Sequence, residues 1–236
     1  IKTGGDLAGR RIGLPEYQQT AGLWVRGILR DQYGVDTAKI AWRIGGQEKA
    51  GAGERIKVDL PPQLDVKPIG PTQTLNQMLA EGELDAIFSP RPPSCFVQKS
   101  APVDRLFPDY QSAEKEYFMK TKFFPIMHAL TIRKDVAEKH PALPLQLFEA
   151  FAKAKSLSLA ELSLNNVLRV SLPWAPVAYE EARAVMGKNI WPYGFAENRD
   201  EIAAMTRYAH ADGLAKRLVD PAELFHPSTL EARDAS

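Results

Sequence analysis

The sequence has very little cysteine and no block of charge of one sign. Its 236 residues include one cysteine, Cys95, so no disulfide can form within the chain and nothing indicates an oxidising compartment. Lys and Arg number 30 against 29 Asp and Glu, which gives a formal net charge of +1. Non-specific nucleic-acid binding needs a basic surface that neutralises phosphates, so the composition argues against a nucleic-acid partner.

Long apolar runs and leader-like segments are also missing. No stretch of the sequence is apolar over the length that spans a bilayer, so we expect no membrane span. The sequence begins at Ile1 and contains no signal peptide. We therefore expect a cytoplasmic protein, or a periplasmic one if a signal peptide lies upstream of Ile1.

Sequence motifs for bound cofactors and metals are absent as well. There is no GxGxxG or Walker A segment, no GxSxG elbow, and no His or Cys cluster with the spacing of metal ligands. We therefore expect neither an organic cofactor nor a metal, so that any chemistry would rely on side-chain acids and bases. A metal held by scattered Asp, Glu and His remains an alternative.

The first 93 residues have the pattern of an open α/β sheet. The segments that resemble buried strands are residues 9–14, 39–43, 65–69 and 84–89. A helix is predicted from Thr20 to a stop at Gly34, and a second over residues 71–81, with Thr72 or Gln73 near its start. Arg26 and Arg30 fall within the first of these helices, where we expect them to be solvated.

The remainder of the chain is predicted to be mostly helical. Residues 94–125 are rich in proline and aromatic residues and are interpreted as a crossing segment between two lobes. One strand is predicted at 126–133, and helices at 144–157, 159–168, 177–186 and 198–211, before a tail that frays. This helical part of the chain has only one predicted strand, so its helices have no sheet to cover. We therefore expect an earlier part of the full protein to supply the missing strands.

The stretch GLPEYQQTAGLWVRGIL places polar residues between the first strand and its helix. In parallel sheets ligands bind beyond the carboxyl ends of the strands, and a helix N-terminus offers free backbone N–H groups to an anion. Thr20 could therefore help to hold a carboxylate, while Tyr17 and Gln18 could donate hydrogen bonds or stack on a ring. The alternative is structural, with Glu16 complementing the helix dipole and Thr20 acting as a plain N-cap.

The second and fourth strands end in comparable turns. WRIGGQE carries Gly45 and Gly46, and FSPRP carries Arg91 between two prolines. A stiffly held guanidinium can bind a carboxylate through two parallel hydrogen bonds, although Arg91 could equally pair with a structural acid. Arg43 poses the same choice, and there the structural pair is favoured.

His128 interrupts the apolar segment FFPIMHAL. A lone histidine in a strand is often a satisfied core residue. Its position directly after the crossing segment nevertheless makes it a candidate for proton transfer, because imidazole titrates near neutral pH.

Several segments together resemble the 4,5-dihydroxyphthalate decarboxylase family. They are GLPEYQQTAGLWVRGIL, WRIGGQE, LDAIFSPRPP, RLFPDYQSAEKEYF with FFPIMH, and MGKNIWPYGFAENR with ELFHPSTL, which cover almost the whole chain. The loop KAGAGER at 49–55 departs from the family pattern, which puts any role for it in doubt.

The resemblance implies the fold of type II periplasmic binding proteins, in which two α/β lobes joined by a hinge hold a ligand in the cleft between them. Residues 1–93 would then form lobe two, 94–125 the crossing segment, and 126–236 the mostly helical remainder of lobe one. The opening part of lobe one would be missing from this sequence.

The resemblance also implies an activity, the non-oxidative decarboxylation of 4,5-dihydroxyphthalate to 3,4-dihydroxybenzoate. On that basis Arg91 and the helix start near Thr20 would hold a carboxylate, and Glu16 would accept a hydrogen bond from a ring hydroxyl. His128 or Tyr17 would handle the proton. Trp42 or Trp191 could wall the ring, or could belong to the core.

A rival interpretation is a solute-binding protein without catalysis, because this fold is used mostly to capture small molecules. Either interpretation predicts a small aromatic carboxylate as the ligand. The sequence leaves a homo-oligomer open.

Overall fold

A computed structural model describes residues 1–51, 53–164, 166, 167 and 169–234. The chain divides into two compact units. Unit 1 comprises Ile1–Tyr110 and Ala204–Val219, and unit 2 comprises Gln111–Ala203 and Asp220–Ser236. The segments 1–93, 94–125 and 126–236 remain a prediction about the lobes of the full-length protein.

Unit 1 contains a parallel sheet and its helices. The strands are β1 (Arg11–Leu14), β2 (Ala41–Ile44), β3 (Val66–Pro68) and β4 (Ala86–Ile87), and the helices are α1 (Thr20–Tyr33), α2 (Leu75–Ala80) and α3 (Ser94–Val97). Two 3-10 helices, Gly4–Leu7 and Thr37–Lys39, precede β1 and β2. The prediction of an α/β sheet is confirmed.

The strand order of this sheet is β3-β2-β1-β4, and every pairing is parallel. All strand carboxyl ends therefore lie at one edge. The chain adds strands outward from β1 to β3 and then returns to place β4 on the other side of β1. The order thus reverses between β1 and β4, and at such a reversal open α/β sheets form a crevice beyond the strand ends.

Helix α1 begins and ends where the sequence predicts. Gly34 ends it with φ of 65°, a left-handed conformation that glycine adopts without steric cost, and its N–H donates to the Arg30 carbonyl. Leu29 of α1 packs with strand residues Ile12, Leu14 and Trp42 in the buried core of the unit. Burial of this apolar face is what fixes α1 against the sheet.

Helix α2 is shorter than predicted and starts later. Its N-cap is Thr74, whose hydroxyl accepts a hydrogen bond from the Gln77 N–H at 3.2 Å. Thr72 and Gln73, which we placed near the helix start, lie in the preceding turn, where the Gln73 side chain accepts the Gly70 N–H at 2.8 Å. The proline at position 71 was a poorer guide to the helix start than the Thr74 hydroxyl that caps the helix.

Unit 2 is built mostly from helices. They are α4 (Tyr110–Thr121), α5 (Lys134–Lys139), α6 (Leu143–Leu162), α7 (Ala175–Met186) and α8 (Phe195–Ala211), with 3-10 helices at Pro221–Leu224 and Pro227–Thr229. The division between the two units falls inside two helices. It lies between Tyr110 and Gln111 in α4 and between Ala203 and Ala204 in α8. The helices predicted over 177–186 and 198–211 are confirmed, whereas α5 was not predicted.

The two helices predicted at 144–157 and 159–168 are wrong as separate elements. The structure has one helix, α6, across the assumed break, because Ser156 and Ser158 tolerate a helix interior and no glycine or proline interrupts it. The predicted end at Leu168 lies outside the described residues.

The strand predicted at 126–133 is also wrong. Residues 122–133 form neither helix nor strand, and the strands found among the described residues all lie in unit 1. The backbone N–H groups of Phe124 and Ile126 donate instead to the Glu201 carboxylate, at 3.1 and 2.8 Å. An apolar, β-branched segment becomes a strand only where a partner edge exists to pair with it.

The tail is anchored as far as it is described. Asp234 is buried and accepts hydrogen bonds from the Lys155 ammonium and, at 2.8 Å, from the Tyr193 N–H. Lys155 also donates to Asn189 and to the Trp191 carbonyl, at 2.9 and 2.8 Å. The expected fraying is therefore wrong up to residue 234. No helix among the described residues has both the length and the apolar character to cross a membrane.

Candidate functional site

The turns that follow β1, β2 and β4 lie at the same edge of the sheet in unit 1. Gly13 of β1 pairs with Arg43 of β2 on one side and with Ile87 of β4 on the other. The Phe88 N–H donates to the Gly13 carbonyl at 3.0 Å, so the β4 turn begins beside the β1 turn. Most of the predicted site residues stand on these three turns.

The β1–α1 turn is fastened by the loop that follows β2. The Glu54 carboxylate accepts the Tyr17 N–H and, at 2.9 Å, the Gln18 side-chain amide. That amide also donates to the Ile56 carbonyl at 2.8 Å, and Glu16 pairs with the Arg55 guanidinium at 2.9 Å. A loop whose role the sequence left in doubt therefore contacts the turn directly. No pattern in the sequence predicted these contacts.

The N-terminus of α1 is open. Its N-cap is Gln19 rather than Thr20, and no side chain caps the helix. Among the described residues the N–H groups of Thr20 and Ala21 have no hydrogen-bond acceptor. The Leu23 N–H, further along the first turn, donates to the Gln19 carbonyl at 3.0 Å. Such donors, at the positive end of a helix of fourteen residues, suit a negatively charged group.

The β2 turn is held by close packing. Gly45 and Gly46 are buried, and the Gly46 carbonyl accepts the Leu75 N–H at 3.0 Å. A Cβ atom on Gly45 would lie 2.4 Å from the Ile69 side chain, so the backbone approaches there more closely than any other residue would allow. Gly45 therefore has a packing reason for its presence.

Trp42 belongs to the core and does not wall a ring-binding site. Its exposed fraction is 0%, and its indole N–H donates to the Thr37 carbonyl at 3.1 Å. It meets Tyr17 edge to face, with ring centroids 6.2 Å apart. The core alternative for Trp42 is the correct one, because β2 is an inner strand of the sheet.

The β4 turn carries Arg91 and is tied to the β2 turn through Gln47. The Gln47 side-chain amide donates to the Arg91 carbonyl at 3.1 Å, and its oxygen accepts the Ser89 hydroxyl. The Arg91 guanidinium is exposed and forms no ion pair within the part of the chain that the structure describes. The Arg91 backbone is thus held by a hydrogen bond, and its exposed guanidinium is available to an anion. Arg43 instead pairs with Asp65 at 3.2 Å, as favoured.

Beneath the β1–α1 turn lies a charged cluster that the sequence did not reveal. Arg26 has an exposed fraction of 0%, and its guanidinium carbon stands 3.9 Å from the centroid of the Tyr17 ring. Asp212 accepts hydrogen bonds from Arg26 and from Arg30, each at 2.5 Å. The expectation that both arginines are solvated is wrong.

The reason for that error is a second contact surface on α1. Gly27 stands against the Tyr208 ring of α8, and Trp24 meets the same ring edge to face at 5.6 Å. Helix α1 is therefore covered on two sides, which a single apolar stripe does not predict. The small residues inside the helix were the available signal of a close neighbour.

Burial controls the chemistry of Tyr17. Loss of hydration raises the pKa of the phenol to about 12, although the nearby Arg26 charge opposes the shift. Tyr17 is therefore a neutral hydrogen-bond donor at neutral pH rather than a base.

His128 stands in unit 2, in an exposed segment without regular structure, so the core alternative for it is wrong. Trp191 is in the same unit; it is half exposed and meets Phe124 edge to face at 4.9 Å. The turn residues and these two side chains belong to different units, so their common site remains a prediction.

No group of three or more His, Cys, Asp and Glu side chains among the described residues is arranged to hold a metal ion.

Glu48, an acid near the site, fixes the start of α3. Its carboxylate accepts hydrogen bonds from the Ser94 N–H and hydroxyl, at 2.9 and 2.7 Å. Partial burial is the largest single effect on the pKa of Glu48 and raises it, but the hydrogen bonds from Ser94 and Gln47 together outweigh burial, so the pKa is lowered.

Comparison with known proteins gives two similar relatives. The chain is 42% identical over 232 residues to "4,5-dihydroxyphthalate decarboxylase" of Comamonas testosteroni, covering 98% of this chain and 70% of that protein. It is 43% identical over 118 residues to the protein of the same name from Pseudomonas putida, covering 50% of this chain and 46% of that protein. No family model matches the sequence. By its identity and coverage with the first relative, the chain belongs to the 4,5-dihydroxyphthalate decarboxylase family.

Proposed function

We propose that the chain catalyses the non-oxidative decarboxylation of 4,5-dihydroxyphthalate, giving 3,4-dihydroxybenzoate and CO2. The observation that carries this proposal is the identity to the Comamonas testosteroni decarboxylase along almost the entire chain. The sheet edge supplies a physical reason, because an exposed guanidinium and free helix amides stand on neighbouring turns.

The substrate itself makes the reaction feasible. Each carboxylate of 4,5-dihydroxyphthalate lies para to a hydroxyl group, which donates electron density to the carbon that bears that carboxylate. A proton adds to this carbon, the bond from the carbon to the carboxylate breaks, and its electron pair restores the aromatic ring as CO2 leaves. The reaction consumes one proton and needs no oxidant.

The protein must fix the carboxylate that is retained. We assign this to the Arg91 guanidinium and to the first-turn amides of α1 at Thr20 and Ala21, aided by the Thr20 hydroxyl and the Gln18 amide. The buried Gly45 allows the β2 turn to pack closely at the same edge. Holding the substrate in one orientation accounts for a large part of the barrier reduction in such reactions.

Two further roles complete the proposal. Glu16, already bound to an exposed arginine, accepts a hydrogen bond from a ring hydroxyl and so increases electron donation into the ring. The proton comes from His128 or from the neutral Tyr17 phenol. Burial raises the pKa of the Tyr17 phenol to about 12, which makes it a weak proton donor.

For the full-length protein we propose the two-lobed fold of type II periplasmic binding proteins and a cytoplasmic location. The parallel sheet with strand order β3-β2-β1-β4 is compatible with one α/β lobe of that fold. A crystal structure of the full-length protein would test the fold, and fractionation of cells would separate a cytoplasmic from a periplasmic protein.

The function is tested by incubating purified full-length protein with 4,5-dihydroxyphthalate, with and without a metal chelator. We expect CO2 release matched by 3,4-dihydroxybenzoate, measured by chromatography. Phthalate is the control, because it lacks the para hydroxyl and should not react. Tight binding of 4,5-dihydroxyphthalate without any turnover would instead identify a non-catalytic solute-binding protein.

A further inference from the structure

The charged groups around the β1–α1 turn balance only when Glu54 is counted. Asp212 is the carboxylate shared by the two guanidiniums of Arg26 and Arg30. Glu16 and Arg55 form a separate neutral pair. Without Glu54, this set of groups therefore carries one positive charge in excess.

The excess charge is buried next to the first turn of α1. Both terminal nitrogens of Arg26 and one of Arg30 are buried without a hydrogen-bond partner among the described residues. The Nη1 atom of Arg26 lies 3.3 Å from the place of a Cβ on Gly22, the third residue of α1. A buried cation whose donors are unsatisfied strongly favours a nearby anion, because the low-dielectric interior screens it poorly.

Glu54, which is exposed, places a carboxylate against this turn from the loop that follows β2. Its carboxylate contacts the Tyr17 N–H and the Gln18 amide, and it forms no ion pair with any described cation. These donors belong to the turn assigned above to the substrate. A side-chain carboxylate thus binds the Gln18 amide, which is one of the donors assigned above to the ligand carboxylate.

We propose that the β1–α1 turn is an anion subsite, made positive by the buried Arg26, in which Glu54 stands in for a substrate carboxylate and is displaced by it. The inference rests on the proposed function, since it takes an aromatic dicarboxylate as the ligand. Exchange of one carboxylate for another leaves the local charge balanced, so the swap avoids burying an unpaired charge. Glu54 thereby lowers the affinity for the substrate, and Arg26 raises it.

The test is calorimetric titration of the full-length protein with phthalate, which has both carboxylates and is not consumed. Glu54→Ala should strengthen phthalate binding at least about threefold, because a competing carboxylate is lost. Arg26→Met should weaken phthalate binding at least about fivefold, whereas Arg26→Lys, which keeps the charge, should stay within about threefold of the parent. Arg30→Met removes the same excess charge from a less buried position, and serves if Arg26→Met does not fold.

Two controls match these changes. Asp59→Ala removes an exposed negative charge from the same loop, and Arg10→Met removes a positive charge before β1, at the opposite edge of the sheet. Neither should alter phthalate affinity. General damage to the turn would weaken binding in every variant, so opposite effects of the Glu54 and Arg26 variants are the diagnostic result.

Unchanged or weaker phthalate binding in Glu54→Ala would overturn the proposal, as would equal affinity in Arg26→Met and the parent. Absence of phthalate binding to the parent would also overturn it. Turnover of 4,5-dihydroxyphthalate by the parent, measured separately, decides the proposed function. The binding measurements can thus contradict the proposed subsite while turnover supports the proposed function, and the reverse outcome is equally distinguishable.

Discussion

Gly45 and Ile69 approach so closely that a Cβ atom on Gly45 would stand 2.4 Å from the Cδ1 atom of Ile69. Gly45 follows β2, and Ile69 follows β3, the neighbouring strand. The N–H of Ile69 donates to the Ile44 carbonyl at 2.9 Å, so neither backbone can move away without breaking the sheet edge.

Gly45→Ala should therefore lower the free energy of unfolding by about 1 to 3 kcal/mol, as overpacking does elsewhere. Urea denaturation measures the change. Gly53→Ala is the control, because apart from its chain neighbours no described residue has an atom within 4 Å of its Cβ position, and it should stay within about 0.5 kcal/mol of the parent. Ile69→Ala combined with Gly45→Ala should cost less than the sum of the two changes. If the stability losses of the two single changes simply add in the double variant, the close contact between Gly45 and Ile69 is contradicted.

Arg91→Ala should lower kcat/KM for 4,5-dihydroxyphthalate at least about tenfold with little change in stability, because an exposed cation is removed. Steady-state kinetics and thermal unfolding measure the two effects. Arg91→Lys should recover part of the loss, but not the geometry of two parallel hydrogen bonds. Lys99→Ala, an exposed cation after α3, should behave as the parent. Parent-like kinetics of Arg91→Ala would remove this residue from the site.

His128→Ala should lower kcat at least about tenfold if His128 delivers the proton, with a smaller effect on KM. The matched control is His140→Ala, because His140 is an exposed histidine at the end of α5 in the same unit. Product formation by chromatography gives both constants. If His128→Ala retains full activity while Tyr17→Phe loses it, the proton donor is Tyr17.

Tyr17 should make stability depend on pH at the alkaline end. The folded-state pKa of about 12 exceeds the ordinary value of 10.0, so the contribution of the neutral phenol is fully present below about pH 10 and is lost as the pH rises toward about 12. Between about pH 9 and about pH 11, the parent should lose about 1 kcal/mol more than Tyr17→Phe.

Urea denaturation at the two pH values measures this difference. Tyr110→Phe replaces a half-exposed tyrosine and should follow the parent. Equal pH dependence of the parent and Tyr17→Phe would show that Tyr17 ionises as an ordinary tyrosine.

Asp234→Asn should cost about 3 to 5 kcal/mol of stability, because it leaves the buried Lys155 ammonium without its carboxylate. Arg233→Ala, the adjacent change, removes a largely exposed pair with Glu197 and should cost less than about 1 kcal/mol. Thermal unfolding compares the two. Similar melting temperatures would indicate that the tail does not support α6.

The sheet was predictable because its signals are local. Short apolar segments ended by glycine or proline predicted the four strands, and Gly34 predicted the end of α1. The turns at the carboxyl ends of β1, β2 and β4 were likewise predictable, since parallel strands bring such turns to one edge.

What escaped prediction depends on partners distant in the sequence. Arg26 is buried because Asp212 and the Tyr17 ring meet it, and no helical pattern announces a buried guanidinium. The segment around His128 has the composition of a strand but finds no described edge to join. Glu54 lies in a loop without periodicity, so its contact with the β1–α1 turn could not be inferred.

The pairing of Arg26 with Asp212 spans 186 residues. A ribosome adding about 5 to 20 residues per second would need about 10 to 40 seconds to deliver the aspartate after the arginine. Until then the guanidinium must stay hydrated, and the face of α1 that carries it cannot close. Maturation of the sheet unit is thus postponed until Asp212 has been translated. Throughout that interval the nascent chain is in a state that holding chaperones would be expected to protect.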